Sequence, residues 1–501
     1  MEDNVKVKTF TGVIWNYANQ FGLQLIQLIP AMILARLLSP SEYGIIAIST
    51  IVTGLLSIFV EGGFPMALIQ KAELKQIDIS SVFYFNILIS IVLYVLLFFT
   101  SPIIADFFGV QDLTNIIHIS SLGLIIGALG SVQNTLLVKN LEFKKTTIIN
   151  LTSCIISVVV GVCLAYMDYS YWALVIQSLT LMTIKSLGNW VMSNWRPKLC
   201  FSIYSLKEMF GYGSNVLIKQ VTDYGFGKIY DVVIGKIYKP ADLSYFNRAN
   251  STQALFADTF LMVLNSVTFP AFSKMQSDRE RLRTNVLRFF LIEVMIISFI
   301  MLLVIALAEP IFHFMYSSKW DAVIPLFQLI CIWGLFRPIS VVFSNGLFSV
   351  GQSGICLRNS LLGRGFNILF LCITWSYGLK VMILGQVIAY LVEILLYTFS
   401  FNKEFGYSIR DLLKDVVPYY VVSGGACLIV FGIDRALVSN ITIENEMLDS
   451  FIRLIIDLSL GTIIYLTMHR KLKMKAYIDF ATVATDVTKS IPGINIITRL
   501  L

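Results

Sequence analysis

Long apolar segments alternate with short polar turns along the whole chain. Several of these segments contain no Asp, Glu, Lys or Arg, for example 79–105, 113–138 and 146–167. A helix needs about 20 predominantly apolar residues to cross the hydrocarbon core of a bilayer. The pattern therefore predicts an all-α polytopic membrane protein of about fourteen transmembrane helices. The predicted spans are 10–37, 43–68, 80–105, 113–138, 146–167, 171–193, 211–235, 244–270, 286–308, 322–349, 357–378, 380–401, 415–433 and 449–469.

Composition supports the membrane assignment and charge sets the orientation. The chain is 56% hydrophobic and 14% charged, against about 25% charged in soluble proteins. Loops that face the cytoplasm carry an excess of Lys and Arg. With a cytoplasmic N-terminus, the loops on that side and both termini hold 26 of the 38 basic residues. We therefore predict cytoplasmic N- and C-termini. We attribute the net charge of +7 to this topology and to contact with anionic lipid headgroups, and not to nucleic-acid binding.

Two cytoplasmic connections carry helix-capping signals. Ser205 precedes Glu208 with capping-box spacing, and Ser408 precedes an amphipathic segment at 409–416. Such signals predict short helices that lie in the membrane interface.

The chain contains an internal repeat. The turn at 35–43 reads Ala-Arg-Leu-Leu-Ser-Pro-Ser-Glu-Tyr, and the turn at 235–243 reads Gly-Lys-Ile-Tyr-Lys-Pro-Ala-Asp-Leu. Six spans between the copies preserve their sidedness, so we predict two parallel, pseudo-symmetric lobes with a substrate path between them. A duplicated channel or scaffold would show the same repeat. The predicted regions are an N-terminal lobe at 1–195, a C-terminal lobe at 196–402, two further helices at 403–470 and a basic cytoplasmic tail at 471–501.

Five amides lie along one side of the first predicted span. At 100° per residue they fall within an arc of about 140°, so they face either a neighbouring helix or a water-filled cavity. Their number favours the cavity, where uncharged donors and acceptors would suit sugar hydroxyls. These residues are Asn16, Asn19, Gln20, Gln24 and Gln27.

The seventh predicted span contains four charged residues. A charge at the bilayer centre costs roughly 2.5–3.5 kcal/mol on insertion scales, so each needs a partner or a wet surface. Gly225 and Gly227 could unwind the helix and bring both of its lysines inward. Without such a break, the charges form local pairs, Lys219 with Asp223 and Lys228 with Asp231.

Other charged residues fall within later spans. Arg337 has no carboxylate three or four residues away, so its partner is either an anionic ligand group or a carboxylate on another helix. Further candidates for functional charges are Arg248, Asp258 and Glu393. Four other residues are given structural roles, Glu61 and Glu293 as interface residues and Arg453 with Asp457 as a structural pair.

The sequence contains no motif that is typical of an enzyme active site. The three histidines, His118, His313 and His469, are far apart, and the seven cysteines are scattered without a Cys-x-x-Cys motif. No Gly-x-x-x-x-Gly-Lys-Ser/Thr loop occurs. We therefore predict no catalytic residues, no metal site and no cofactor.

Three strings carry a resemblance to a known family. They are Ala-Arg-Leu-Leu-Ser-Pro-Ser-Glu-Tyr-Gly at 35–44, Tyr-Phe-Asn-Arg-Ala at 245–249 and Phe-Pro-Ala-Phe-Ser-Lys-Met-Gln at 269–276. The chain resembles the polysaccharide transporters of the MOP flippase superfamily, most of all the Wzx-type exporters of colanic acid or lipopolysaccharide repeat units. The resemblance implies two six-helix lobes plus two C-terminal helices in the bacterial inner membrane.

The resemblance also implies a function and a set of site residues. Such proteins move undecaprenyl-pyrophosphate-linked oligosaccharide to the outer leaflet for lipopolysaccharide or exopolysaccharide assembly, and we expect alternating access. Membrane lipids and glycan polymerase or assembly proteins are the other expected partners. A cationic cavity for the pyrophosphate would use Lys219, Lys228, Arg248 and Arg337. Ion coupling would use Asp223, Asp258 or Glu393.

Two alternative classes stay open at this point. One is another exporter of the same superfamily, for drugs or for a peptidoglycan lipid precursor, although the drug exporters generally have twelve helices. The other is a polytopic glycan polymerase or ligase. Those enzymes resemble proteins with a large external loop, and the longest external loop predicted here is about 433–449.

Overall fold

A computed structural model describes residues 22–24, 26–275, 278–435 and 446–489. These residues are almost entirely helical and include no β-strand. The helices are α1 (26–37), α2 (Pro40–Glu61), α3 (Gly63–Gln70), α4 (Gln76–Phe108), α5 (Leu113–Ser120), α6 (Leu122–Lys139), α7 (Phe143–Tyr166), α8 (Trp172–Met192), α9 (Ile203–Ile237), α10 (Pro240–Lys274), α11 (Arg279–Ala306), α12 (Ala308–Met315), a 3₁₀ helix (Ser318–Val323), α13 (Ile324–Ser349), α14 (Ser353–Thr374), α15 (Leu379–Phe405), α16 (Ile409–Ile433), α17 (Glu446–Lys471) and α18 (Lys475–Lys489).

Thirteen of the fourteen predicted spans fall on one helix or on two consecutive helices of the described chain. The first span, 10–37, is described only at 22–24 and 26–37, which are helical, and its residues 10–21 lie outside the described residues. Among the described residues, nine such segments are long and apolar enough to cross a membrane by length and composition alone. The other five spans, α1, α8, α9, α10 and α14, are shorter or more polar. The all-α, multi-pass membrane architecture predicted from the sequence is confirmed.

The chain divides into two compact units, unit 1 up to Ser244 and unit 2 from Tyr245 onward. In unit 1, α9 packs against α2, α3 and α4. The helix predicted to open the C-terminal lobe therefore belongs to the first compact unit. The lobe boundary predicted between residues 195 and 196 stays a prediction.

The two predicted interfacial helices are continuous with transmembrane helices. The N-cap of α9 is Ser202, whose side chain accepts a hydrogen bond from the backbone of Ser205, so the predicted cap at Ser205 is wrong. Ser408 does cap α16, in a capping box with Asp411. Both helices run on without a break, because none of the residues with left-handed φ in the described chain falls inside them.

Two predicted spans are broken. The second span is interrupted at Gly62, between α2 and α3, and the fourth is interrupted at Ser121, between α5 and α6. Glu61 is the last residue of α2 and stands directly at the first break. Both interruptions are slight, because Gly62 and Ser121 keep right-handed helical φ and ψ angles. The Gly62 backbone nitrogen still donates to Ile58, and that of Ser121 to Ile117.

The two turns of the internal repeat share one capping geometry. The Glu42 Oε2 atom accepts a hydrogen bond from the backbone nitrogen of Ser39 at 2.6 Å. In the second copy, the Asp242 Oδ2 atom accepts from the backbone nitrogen of Lys239 at 3.1 Å. A proline follows the capping position in both copies, where its missing N–H has no intrahelical partner to lose. The residues that match in sequence therefore start α2 and α10 in the same way.

The predicted basic tail contains α18, an amphipathic helix that packs on α11. Asp479 forms an ion pair with Arg288 of α11 at 3.1 Å. The backbone nitrogen of Ala476 donates to the Tyr419 hydroxyl at 3.0 Å. These contacts tie the chain that follows α17 to the core of unit 2.

Glu293 lies inside unit 2 rather than at an interface, so its predicted placement is wrong. It is fully buried in α11, and neither of its carboxylate oxygens has a hydrogen-bond partner among the described residues. The reason is that α13, α16 and α18 all pack around α11.

Lys139, the last residue of α6, caps a neighbouring helix. Its Nζ atom donates to the carbonyl oxygens of Leu68 at 2.7 Å and Ile69 at 3.3 Å, and also to that of Lys71. The last carbonyls of a helix have no intrahelical donors, and α3 has no basic residue of its own in its last turn. Lys139 supplies those donors from outside.

Replacement of Lys139 by methionine is therefore expected to lower the free energy of unfolding by about 1.5–3 kcal/mol, the range for hydrogen bonds to a charged group. The measurement is the unfolding midpoint of the purified full chain in detergent. Lys207→Met is the control, because Lys207 is exposed near the start of α9. Equal midpoints for the two variants would contradict the capping role.

Candidate functional site

Unit 1 encloses a polar cavity between the α2–α3 pair, the α5–α6 pair and α8. The cavity has two adjoining parts, of about 140 Å³ along α2 and about 340 Å³ along α3. Glu61, Gly127 and Met182 line both parts. We call this space the unit 1 cavity. Glu61 therefore faces the junction of the two parts, at the break between α2 and α3.

Hydroxyl and amide groups form most of the polar lining of the unit 1 cavity. Lys185 of α8 lines the part along α3, so the cavity holds one acidic and one basic side chain among its described lining residues. Small residues leave the space open, since a Cβ atom at Gly127 would lie 3.6 Å from Glu61. The uncharged polar lining residues are Ser49, Thr50, Thr53, Ser57, Ser120, Ser131, Asn134, Thr135, Ser178, Ser186 and Asn189.

Unit 2 contains a smaller polar cavity, of about 40 Å³, between α10, α13 and α15. Its polar lining consists of Asn250, Gln253, Trp333, Gln386 and Tyr390. By chain order these helices are the second, fourth and sixth spans of the second repeat. The unit 1 cavity lies between the second, fourth and sixth spans of the first repeat.

Two lining residues of the unit 1 cavity on α2 correspond, through the internal repeat, to two lining residues of the unit 2 cavity on α10. The repeat turns are offset by 200 residues, which pairs Thr50 with Asn250 and Thr53 with Gln253. All four of these side chains line a cavity. The repeat that the sequence shows in its turns therefore extends to the polar faces of α2 and α10.

Arg337 finds its partner on another helix, which was one of the two alternatives for this residue. Its guanidinium forms an ion pair with Asp258 of α10. The guanidinium also lies 5.0 Å from the ring centroid of Trp333, and Trp333 meets Tyr390 edge to face at 4.7 Å. The pair is partly open, with 29% of the Arg337 side chain and 41% of the Asp258 side chain exposed. Two predicted site residues are thus brought together beside the unit 2 cavity.

Arg248 and Glu393 lie elsewhere in unit 2. The Arg248 guanidinium lies over two aromatic rings, 4.7 Å from Tyr316 and 5.0 Å from Trp320. Glu393 is half-buried on α15, beside Gly363 of α14. Arg248 also makes a further interaction within the described chain.

The charged residues of α9 form the local pairs predicted from their spacing. Lys219 contacts Asp223 at 2.7 Å, and Lys228 contacts Asp231 at 2.6 Å. The predicted unwinding at Gly225 and Gly227 is wrong, because α9 is helical from Ile203 to Ile237. Nine positions at 100° each place the two lysines on opposite faces of such a helix.

Of the five amides predicted to line a cavity, three lie outside the described residues, namely Asn16, Asn19 and Gln20. Gln27 is exposed on α1 and hydrogen-bonds with the thiol of Cys154 on α7. Gln24 is half-buried and interacts with a neighbouring group. The cavity role of these amides stays a prediction.

Sequence reasoning missed the residues that line the unit 1 cavity. The sequence analysis assigned Glu61 to the interface, and it counted Lys185 only as one of the 38 basic residues. The repeat is a signal for Thr50 and Thr53, because the 200-residue offset aligns them with Asn250 and Gln253 of α10. It gives no signal for Glu61, which it pairs with Leu261.

Comparisons with known proteins find a matching family and relatives that cover most of the chain. A family described as "Polysaccharide biosynthesis protein" matches residues 33–325. Succinoglycan biosynthesis transport protein ExoT of Rhizobium meliloti is 25% identical over 357 residues, covering 71% of this chain and 72% of that protein. Lipopolysaccharide biosynthesis protein WzxC of Escherichia coli is 24% identical over 365 residues, covering 71% and 73%. Teichuronic acid biosynthesis protein TuaB of Bacillus subtilis is 21% identical over 489 residues, covering 95% and 97%.

Solved structures share the fold at lower sequence identity. Lipid II flippase MurJ, in an inward closed conformation, superimposes with a TM-score of 0.70 at 18% identity, covering 92% of this chain and 99% of that one. An inward-facing multidrug resistance transporter of the MATE family in the MOP superfamily gives a TM-score of 0.51 at 16% identity, covering 79% and 94%. The fold is therefore that of the MOP superfamily of membrane transporters.

Proposed function

We propose a function for this chain from one established premise, that it belongs to the family of polysaccharide biosynthesis proteins. The chain is a multi-pass membrane transporter of the MOP superfamily. We infer that it moves undecaprenyl-pyrophosphate-linked oligosaccharide repeat units from the cytoplasmic to the outer leaflet, by alternating access. Its place would be the bacterial inner membrane, with both termini in the cytoplasm.

The observation that carries this proposal is the pair of polar cavities at matching positions of the repeat. The unit 1 cavity offers many uncharged hydroxyl and amide groups and few charges. Sugar hydroxyls are bound by such donors and acceptors, because each can both give and accept hydrogen bonds. Polar groups inside a membrane protein are costly unless they serve a path or a partner.

Cationic residues in unit 2 suit the anionic part of the same substrate. The Arg248 guanidinium lies over the rings of Tyr316 and Trp320, and Arg337 is partly open beside Trp333. Arginine is well matched to phosphate groups because its fork of donors contacts two oxygens at once. We assign Arg248 and Arg337 to the pyrophosphate, with Asp258 as the counter-charge of Arg337 when no substrate is bound.

The names of the relatives support the same proposed function. ExoT is named as a transport protein of succinoglycan biosynthesis, and WzxC and TuaB are named for lipopolysaccharide and teichuronic acid biosynthesis. The second candidate function is export of a peptidoglycan lipid precursor, which the shared fold with the lipid II flippase favours. We prefer the oligosaccharide carrier because the family match rests on polysaccharide biosynthesis.

Deletion of the gene in a host with the intact glycan pathway is expected to leave lipid-linked repeat units facing the cytoplasm. The measurement is the labelling of these glycans by an impermeant reagent in spheroplasts, followed by staining of surface glycan after complementation. Wild-type protein that is well expressed with its own pathway and still fails to restore surface glycan would overturn the proposal.

Variants of the unit 1 cavity add a second arm to this experiment. Asn134→Leu places an apolar side chain in the cavity, and we expect it to lower export of the glycan. Thr152→Val is the control, because Thr152 lies on α7 outside the described lining. Equal export by both variants would remove the unit 1 cavity from the proposed path.

A further inference from the structure

A buried carboxyl group without a partner lies in α17, outside the cavities described above. Asp457 is fully buried, and both of its side-chain oxygens lack a hydrogen-bond partner in the described part of the chain. Its expected pairing with Arg453 is wrong. The Arg453 guanidinium lies 2.8 Å from Asp449 instead, one turn away in the opposite direction.

A second carboxyl group stands near Asp457. Asp434 follows the end of α16, and its Oδ1 atom is also buried without a hydrogen-bond partner among the described residues. The charges that act on Asp457 are those of Asp434 and Arg453. Asp434 carries the same charge as Asp457, and a neighbouring like charge disfavours the ionised form of a buried carboxyl group, so a proton or a cation is expected at Asp457.

The surroundings of Asp457 favour a proton over a metal cation. One turn further along α17, a Cβ atom at Gly461 would meet Leu303 and Phe299 of α11 and Val430 of α16, which are all apolar. Metal cations of the hard class need about six oxygen ligands. A charged carboxylate without hydrogen bonds is disfavoured far more strongly in such a place than a neutral carboxyl group.

A line of ionisable side chains connects Asp457 with the N-terminal end of α17. Glu446, Asp449, Arg453 and Asp457 fall within an arc of about 80° at 100° per residue. They extend over about 16 Å of the helix at 1.5 Å per residue. Chains of acidic and histidine residues inside membrane proteins mark proton relays.

A histidine stands at the start of this line. The His313 Nε2 atom of α12 lies 2.8 Å from Asp321, and its Nδ1 atom lies 3.7 Å from Glu446. In the proposed orientation this end of α17 faces the outer aqueous phase.

Among the described residues, the other elements that pack on α17 bring no further charge to Asp457. The side of α11 that meets Gly461 is apolar, and α18 follows the opposite end of α17. His469 is fully buried, but it lies about 18 Å along the helix from Asp457. The titratable groups of this region are thus Asp457 and Asp434, with His313, Asp321, Glu446, Asp449 and Arg453 along the approach.

We propose that Asp457 and Asp434 form a proton-binding site in the C-terminal helix pair, α16 and α17, which exchanges its proton with the outer phase along the ionisable line of α17. Exchange of this proton drives the proposed transport of lipid-linked oligosaccharide, and only that last step rests on the proposed function. The site lies apart from the ion-coupling candidates Asp223, Asp258 and Glu393.

Infrared difference spectroscopy of the full chain in lipid vesicles tests the site without any substrate. The wild-type protein, made with isotope-labelled aspartate, is expected to show the band of a protonated aspartate at neutral pH, and the band should shift in heavy water. The band should be lost in Asp457→Asn and kept in Glu309→Gln, a control at an exposed carboxylate of α12. Asp434→Asn should move the pH at which the band titrates.

Three results would overturn the proton site. They are the absence of a protonated aspartate band in the wild-type protein, a band that persists in Asp457→Asn, and a band that disappears on addition of sodium at constant pH. The wild-type measurement needs no variant, so a failure of Asp457→Asn to fold would not block the decision.

A transport measurement separates this proposal from the proposed function. Asp457→Asn is expected to lower export of the glycan about tenfold, within the usual range of coupling between two sites, whereas Asp457→Glu should retain part of the export. A wild-type chain that shows the exchangeable band but moves no glycan would overturn the proposed function alone. Undiminished export by Asp457→Asn would overturn the coupling.

Discussion

Replacement of Arg337 by glutamine is expected to lower export of the glycan by more than about tenfold, because the variant loses a charge-assisted contact to an anion worth about 1.5–3 kcal/mol. The same change leaves Asp258 without its counter-charge inside the membrane. The single variant therefore combines two effects, the loss of the anion contact and the loss of the ion pair.

The double variant Arg337→Gln, Asp258→Asn separates these effects. It removes both charges, so the amount of folded protein should return to that of the wild type, since a neutral pair is not destabilised by an uncompensated charge. Export should stay low, because the cation that we assign to the pyrophosphate is missing. The measurements are the yield of monodisperse protein and the amount of surface glycan.

The control for this experiment is Arg279→Gln. Arg279 forms an ion pair with Glu404 at 3.2 Å, but 61% of its side chain is exposed. Exposed pairs contribute about 0–1 kcal/mol, so export and yield should stay close to the wild type. Full export by the double variant would show that Arg337 serves only to pair with Asp258.

Replacement of Gly44 by alanine is expected to destabilise the chain by about 3 kcal/mol or more, the upper range for overpacking. A Cβ atom at Gly44 would lie 1.8 Å from the carbonyl oxygen of Pro240 and 2.2 Å from its carbonyl carbon. Both of these atoms belong to the backbone, so no side chain can rotate away and one helix has to move. The substitution would separate α2 from the start of α10 at the place where the two repeat turns meet.

The measurement is the unfolding midpoint of the purified chain in detergent. Gly211→Ala is the matched control, because a Cβ atom at Gly211 of α9 would meet no other atom within 4 Å. Alanine is favoured over glycine in a helix interior by about 1 kcal/mol, so this variant should unfold at the same or a higher temperature. Similar losses in both variants would contradict the close approach at Gly44.

Short-range rules predicted the fold and the local pairs well. The positions of the fourteen spans, the capping box at Ser408 and the two ion pairs of α9 all depend on residues that are less than one helix apart. Their geometry follows from the period of the helix itself. The interfacial helices were mispredicted because a capping signal marks a preferred start but cannot end the helix that follows.

The candidate site was predicted only in part. The sequence pointed to Arg337 and Asp258 separately, and the structure joined them. The sequence analysis predicted Glu61 and Glu293 at an interface. In the structure, Glu61 lines the unit 1 cavity and Glu293 is fully buried. The position of a residue along a helix was correct in each case, and its surroundings were not.

By itself, the sequence determined the all-helical membrane fold, the internal repeat and the family resemblance, and its basic loops predict the sidedness. Each of these features depends on the length of apolar segments, on the distribution of charged residues or on a spacing of a few residues. Only the tertiary structure decided which helix neutralises Arg337, which polar residues enclose a cavity, and that Asp457 has no hydrogen-bond partner among the described residues. Such contacts join residues far apart in the chain, and they depend on how each helix is rotated and packed against its neighbours, which the helical period does not specify.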